Sequence, residues 1–213
     1  MKRITLCALL MTLFLLSSCN TSGKNLKDDE VAKSDGTVID LAKLTKNITD
    51  SVAFANDVKE VHTLVKSIDE LAKGIKKKIG ANGLEDDAGA GAHYTPLLAG
   101  AFSVAATIET KVGELKISDS LKGLNEKVKD VEDKVKAFTA KLKNQHATLG
   151  LQNGAATDEN AKKAIDRTSH PDGDKGGKEL LALNTAIDAL LTAAEAAVTS
   201  AINALTTSVK PSN

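Results

Sequence analysis

The stretch LAKLTKNITDSVAFANDVKEVHTLVKSIDELAKGIKKKI, residues 41–79, decides the fold. Its apolar residues fall at Leu41, Leu44, Ile48, Val52, Ala55, Val58, Val61, Val65, Ile68, Leu71, Ile75 and Ile79, each three or four positions after the last. That step follows one face of an α-helix, and nothing in the stretch alternates as a strand would. The spacing predicts a single amphipathic helix on the order of 60 Å long. Asp40 stands where an N-cap is wanted, Lys76, Lys77 and Lys78 suit the negative end of the helix dipole, and Gly80 is the stop.

Working outward, residues 80–94 carry four glycines and the acidic trio Glu85, Asp86 and Asp87, which reads as a loop. Thr95-Pro96 offers a capping hydroxyl and a proline to open a second helix bearing Leu97, Leu98, Ala101, Phe102, Ala105, Ile108 and Val112. Gly100 inside it marks a place for close backbone approach. Ser118 or Ser120 opens a third helix. Its seam of Leu121, Leu124, Val128, Val131, Val135, Phe138, Leu142 and Leu149, with Gln145 in the polar slot, alternates three and four like a heptad repeat and asks for a long neighbour. Gly150 ends it. A short helix follows from Asp158 to Arg167, then a turn-rich stretch from Ser169 to Gly177, then a last helix from Lys178 to about Val209. Between Ala182 and Thr207 that helix holds only two charges, Asp188 and Glu195, so it must pack on several sides, within the bundle or against a partner.

These elements predict an all-α fold: an elongated antiparallel bundle of four main helices plus a short one, dimerising through its long helices. Scarce aromatics fit this, with four Phe, one Tyr and no Trp. An even helix count brings the C-terminus back to the end where the chain enters, and carries the loops at 80–94 and 150–177 to the far end.

The first residues are of another kind. Lys2-Arg3 precedes a run of apolar residues from Ile4 to Leu16, then Ser17 and Ser18, which is a secretory signal rather than a membrane span. Leu16-Ser17-Ser18-Cys19 resembles the bacterial lipobox, in which the cysteine thiol takes a diacylglycerol, cleavage occurs before it, and the new amino group is acylated. The expected domains are thus a signal at 1–18, a lipidated tether at 19–37, a helical bundle at 38–209 and a tail at 210–213. The tether is polar and aperiodic, as a spacer above a membrane should be.

Basic and acidic residues number 28 each, which argues against a nucleic-acid partner. The two cysteines, Cys7 and Cys19, exclude a disulfide framework and a thiolate metal site. His62, His93, His146 and His170 lack ligand spacing for zinc. Asp172, Asp174 and Gly177 imitate the start of a calcium loop, but Leu183 falls where its bidentate Glu is needed. No catalytic constellation is present, so the expectation is no enzyme, no metal and no cofactor beyond lipid on Cys19. Lys73, Lys76, Lys77 and Lys78 form a basic cluster that would suit an anionic polymer such as a host glycosaminoglycan, and equally would complement a helix end.

The stretches LLSSCNTSGK at 15–24, ITDS and VKEV within 48–61, SIDELAKGIKKKI at 67–79, LLAGA at 97–101, FTAKLKNQHATLG at 138–150, DENAKKAI at 158–165 and KGGKELL at 175–181 span the chain in order. With these, the sequence resembles the outer surface protein C and variable small protein family of Borrelia spirochaetes, most nearly its variable small proteins. The resemblance implies a largely helical lipoprotein acylated at Cys19, dimeric, exposed on the cell outer membrane, antigenically variable, met by antibodies and engaged with host or vector ligands. Its variable regions would include 80–94 and 150–177. Three departures stand out: Lys134 where outer surface protein C often has a cysteine, His62 where it commonly has an acid, and a shorter tail from Val209. The competing expectation is a lipid-anchored periplasmic module holding a ligand in its bundle.

Overall fold

The computed structural model describes residues 30–32, 38–89 and 91–208. The signal, Cys19, most of the expected tether and the tail from Val209 lie outside them. Strands β1 (Glu30–Ala32) and β2 (Val38–Asp40) pair antiparallel, so strand pairing reaches into the segment read as a tether. The chain then forms α1 (Leu41–Ala72), the hairpin β3 (Lys77–Gly80) and β4 (Gly83–Asp86), α2 (Thr95–Gly113), α3 (Asn125–Asn144), α4 (His146–Leu149), α5 (Asp158–Ile165) and α6 (Gly177–Ser208).

The four long helices form an antiparallel bundle, α1 and α3 each lying between α2 and α6. Lateral contacts show the directions. Leu44 of α1 meets Ala201 and Ala204 of α6 at one end, and Lys66 meets Asn184 towards the other. Lys111 of α2 reaches Glu60 of α1, and Thr139 of α3 reaches Glu109 of α2. The core is a column of aliphatic residues: Val58, Val61, Val65 and Ile68 from α1, Ala101, Ala105 and Ile108 from α2, Val131, Val135 and Phe138 from α3, and Leu183, Ile187, Leu190 and Ala194 from α6, all almost wholly buried. Burying each larger side chain contributes about 1.5–3 kcal/mol, so this column holds the fold.

Asp40 caps α1 as expected, its side chain accepting from the Lys43 amide at 2.8 Å. The helix nevertheless ends at Ala72 rather than Ile79. Lys73, Gly74 and Ile75 form tightened turns on Glu70, Leu71 and Ala72. Ile75 dives into the core, 6% exposed, and Lys76 takes a left-handed backbone with φ 60°. The Lys76 amide donates to the Tyr94 hydroxyl at 2.9 Å instead of a helical carbonyl. Lys76, Lys77 and Lys78 therefore lie beyond the helix, and its last turn holds no basic residue. Residues 77–86 are a hairpin, not a helix end followed by a loop.

Three further expectations are corrected. Thr95 does not cap α2: Tyr94 precedes the helix without a side-chain cap, while the Thr95 hydroxyl donates to the Leu151 carbonyl and accepts from the Ala156 amide. Among the described residues, no backbone approaches Gly100, for a β-carbon there would meet none of their atoms within 4 Å. The third helix is split into a 3-10 segment (Asp119–Leu124), α3, and α4 after a break at Gln145, whose side chain accepts from Lys175. The short helix α5 is capped by Thr157, which accepts from the Asn160 amide at 3.2 Å.

Candidate functional site

The feature that distinguishes the two ends of the bundle is the far end, opposite the junction of Leu44 with Ala201 and Ala204. There the β3–β4 hairpin projects with its register set by Ile79 facing Leu84 and Gly80 facing Gly83. Ile79 is 89% exposed and Leu84 64%, an apolar cross-strand pair on open surface. The flanking register positions carry opposite charges, Lys77 opposite Asp86 and Lys78 opposite Glu85, and of these the first closes as an ion pair. Lys77 Nζ lies 2.5 Å from Asp86 Oδ1, and this hydrogen bond holds the Asp86 carboxyl below the usual carboxylate range.

The hairpin is fastened at its base. Besides the Tyr94 hydroxyl, Lys76 uses its Nζ to reach Asp158 of α5 at 2.8 Å, and its carbonyl accepts from the Asp87 amide at 3.0 Å. The hydrogen bond between them raises Lys76 and lowers Asp158. The Tyr94 amide in turn donates to the Ala156 carbonyl at 3.1 Å. One tyrosine thus joins the hairpin to the 150–157 segment, so the two regions expected at the far end share a single surface.

Of the basic cluster, the structure engages three members within the chain. Lys73 pairs with Glu70 at 2.6 Å, Lys76 with Asp158 and Lys77 with Asp86, while Lys78 stands exposed on β3 opposite Glu85. Cys19 lies outside the described residues.

Lower on the bundle, two i,i+4 pairs face each other across α1 and α6. His62 Nε2 lies 2.9 Å from Asp188 Oδ1, and Lys66 Nζ bonds both Asp188 and the Asn184 carbonyl oxygen, the latter at 3.0 Å. Asn184 is 1% exposed and returns its amide to the Leu180 carbonyl. Burial pushes Asp188 upward, but Lys66 and His62 outweigh it and hold the carboxyl below its ordinary range. His62 is therefore occupied as a helix-to-helix partner. Lys134 lies on α3 beside Asp130 at 3.6 Å. Among the described residues, no group of three or more His, Cys, Asp or Glu converges as a metal site.

Tyr94, Asp158 and Arg167, the last bonded to Asp69, were not among the expected site residues. The signals were there: Tyr94 is the single tyrosine, and Arg167 is the one arginine outside the signal region in a lysine-rich chain. Arginine is chosen over lysine where a fork must meet a carboxylate.

A family model described as Lipoprotein matches residues 38–211. Outer surface protein C of Borreliella burgdorferi is 44% identical over 197 residues, 89% of this chain and 87% of that protein. Variable small protein 11 of Borrelia hermsii is also 44% identical, over 89% of each. Among solved structures, Variable Small Protein 1 of Borrelia turicatae superposes with a TM-score of 0.69 at 55% identity, covering 78% of this chain and 99% of that one. Similarity of this extent, over the bundle and along nearly the whole of each relative, means that the chain belongs to the lipoprotein family of the borrelial outer surface protein C and variable small proteins.

Proposed function

We propose that this lipoprotein is a variable surface antigen, acylated at Cys19, anchored in the outer membrane and displayed outward, without enzymatic activity. The observation that carries the reading is the polarity of the bundle. The start of α1 and the end of α6 meet at one pole, and the hairpin with exposed Ile79 and Leu84 stands at the other. An anchor at the first pole presents the second to antibodies and to host or vector ligands.

Two finer features belong to the reading. The first is a homodimer. Along α6 the face of Ala189, Thr192, Ala196 and Thr199 is exposed within one chain, and a second copy would cover part of it. Sedimentation of protein beginning at residue 20 would show a dimer at micromolar concentration; a strict monomer would sink this part. The second is adhesion to an anionic polymer through Lys73, Lys76, Lys77 and Lys78. Three of these would have to trade ion pairs within the chain, so Lys78 leads the contact. Equal retention on heparin of the parent and a variant with all four changed to Gln would reject it.

The decisive experiment for display is protease treatment of intact cells, beside a Cys19→Ser strain. Surface exposure predicts loss of the wild-type protein from intact cells, and the variant should leave the detergent phase on partition. Survival of the wild-type protein would favour the periplasmic alternative.

A further inference from the structure

We propose that Asn82, at the tip of the β3–β4 hairpin, is a site of spontaneous modification, converting to aspartyl and isoaspartyl forms in the folded protein. The chain holds two Asn-Gly steps, Asn82-Gly83 and Asn153-Gly154. In such a step the glycine amide nitrogen, after losing its proton to water, attacks the asparagine Cγ. The new N–Cγ bond forms, the Cγ–Nδ2 bond breaks, and the nitrogen leaves with a proton as ammonia. Water then opens the cyclic imide at either carbonyl. The net change is side-chain amide plus water to carboxylic acid plus ammonia, with no redox partner.

The structure separates the two sites. Both asparagines are exposed, so their surroundings make the difference: Asn82 lies in the two-residue turn, and Gly83, at φ 117°, has nothing among the described residues within 4 Å of where a β-carbon would stand. Among the described residues, β3 and β4 pair only with each other. A lone two-stranded hairpin is marginal in water, so its tip opens readily and frees the Gly83 amide from the ladder. Asn153 is pinned on both sides. The Thr95 hydroxyl holds Leu151 and Ala156, the Ala155 amide closes on the Gln152 carbonyl at 3.3 Å, and Gly154 sits against Pro96.

Conversion at Asn82 has two consequences for the surface described above. It adds a carboxylate beside Glu85, Asp86 and Asp87, making the tip more acidic. In the isoaspartyl form it inserts an extra backbone carbon, which breaks the pairing of Ile79 with Leu84.

The test is incubation of the full lipidated protein in mildly alkaline buffer, with peptide mass spectrometry and isoaspartate-directed methyl transfer as readouts. Asn82 is expected to convert within a few-fold of its rate in urea, while Asn153 is slowed on the order of tenfold or more by its closed turn. Asn82→Gln should abolish the product, with unchanged circular dichroism showing that the fold is kept. Conversion of Asn153 as fast as Asn82 in the folded protein would overturn the proposal. So would an intact Asn82 amide in folded protein after the urea control has turned over.

Discussion

Arg167 closes a two-pronged hydrogen bond on Asp69 across 98 residues of chain, Nε to Oδ1 at 2.8 Å and Nη2 to Oδ2 at 2.7 Å. Both side chains are 21% exposed, so the pair is sheltered but not sealed. It ties the segment after α5 to the distal half of α1, and the Asp69 hydrogen bond raises the Arg167 pKa further above its ordinary value.

Arg167→Ala is expected to lower stability by about 1–3 kcal/mol, because it strands a half-buried carboxylate that had two charge-assisted bonds. Arg167→Lys should recover only part of that, since an ammonium cannot form the fork. Urea midpoints at constant slope measure both.

Gly100→Ala should stabilise the chain by about 0.5–1 kcal/mol, the usual gain for replacing glycine in an open helix interior. A β-carbon there meets nothing within 4 Å in one chain. A thermal melt checks it. A lower melting temperature together with weaker association would place Gly100 under a second copy.

Asp188 supplies an acid-sensitive contribution to stability. Its folded pKa is depressed below the ordinary carboxylate value, so the contribution is present above that value and is lost as pH falls through the folded pKa. Asp188→Asn should therefore flatten the acid limb of a stability-against-pH curve, with the difference from wild type largest near neutrality.

Tyr94→Phe keeps the buried ring but removes the acceptor for the Lys76 amide. The expected cost is about 1 kcal/mol, and it should be local. Amide exchange should quicken at Lys76 and across the hairpin, while the amides around Val61 and Ile187 keep their protection.

The helices were largely legible because each carries its own record. Apolar spacing marks the buried stripe, and Asp40 marks where α1 begins, whereas the Thr157 cap of α5 emerges only in the structure. The far end was not legible for the same reason. Ile75 and Ile79 continue the helical spacing of α1, yet one lies in the core and the other is 89% exposed. Periodicity alone cannot register that Tyr94 withdraws the Lys76 amide from the helix, because the contact spans 18 residues. Gly100 shows the converse: its freedom to allow close approach was readable, but whether anything approaches is a property of the packed bundle.

By itself, then, the sequence determined the class of the protein: a polar, aromatic-poor chain behind a lipobox-like signal, with apolar stripes that only helices can bury together. Those are local properties, written in spacing and composition. The tertiary structure decided which charges meet and which residues are left outside. Arg167 with Asp69, Asp188 between His62 and Lys66, and Lys76 with Asp158 and Tyr94 are contacts between distant segments, made when helix packing sets their separation. The exposed hairpin tip follows from the same cause, since the core column is complete without it.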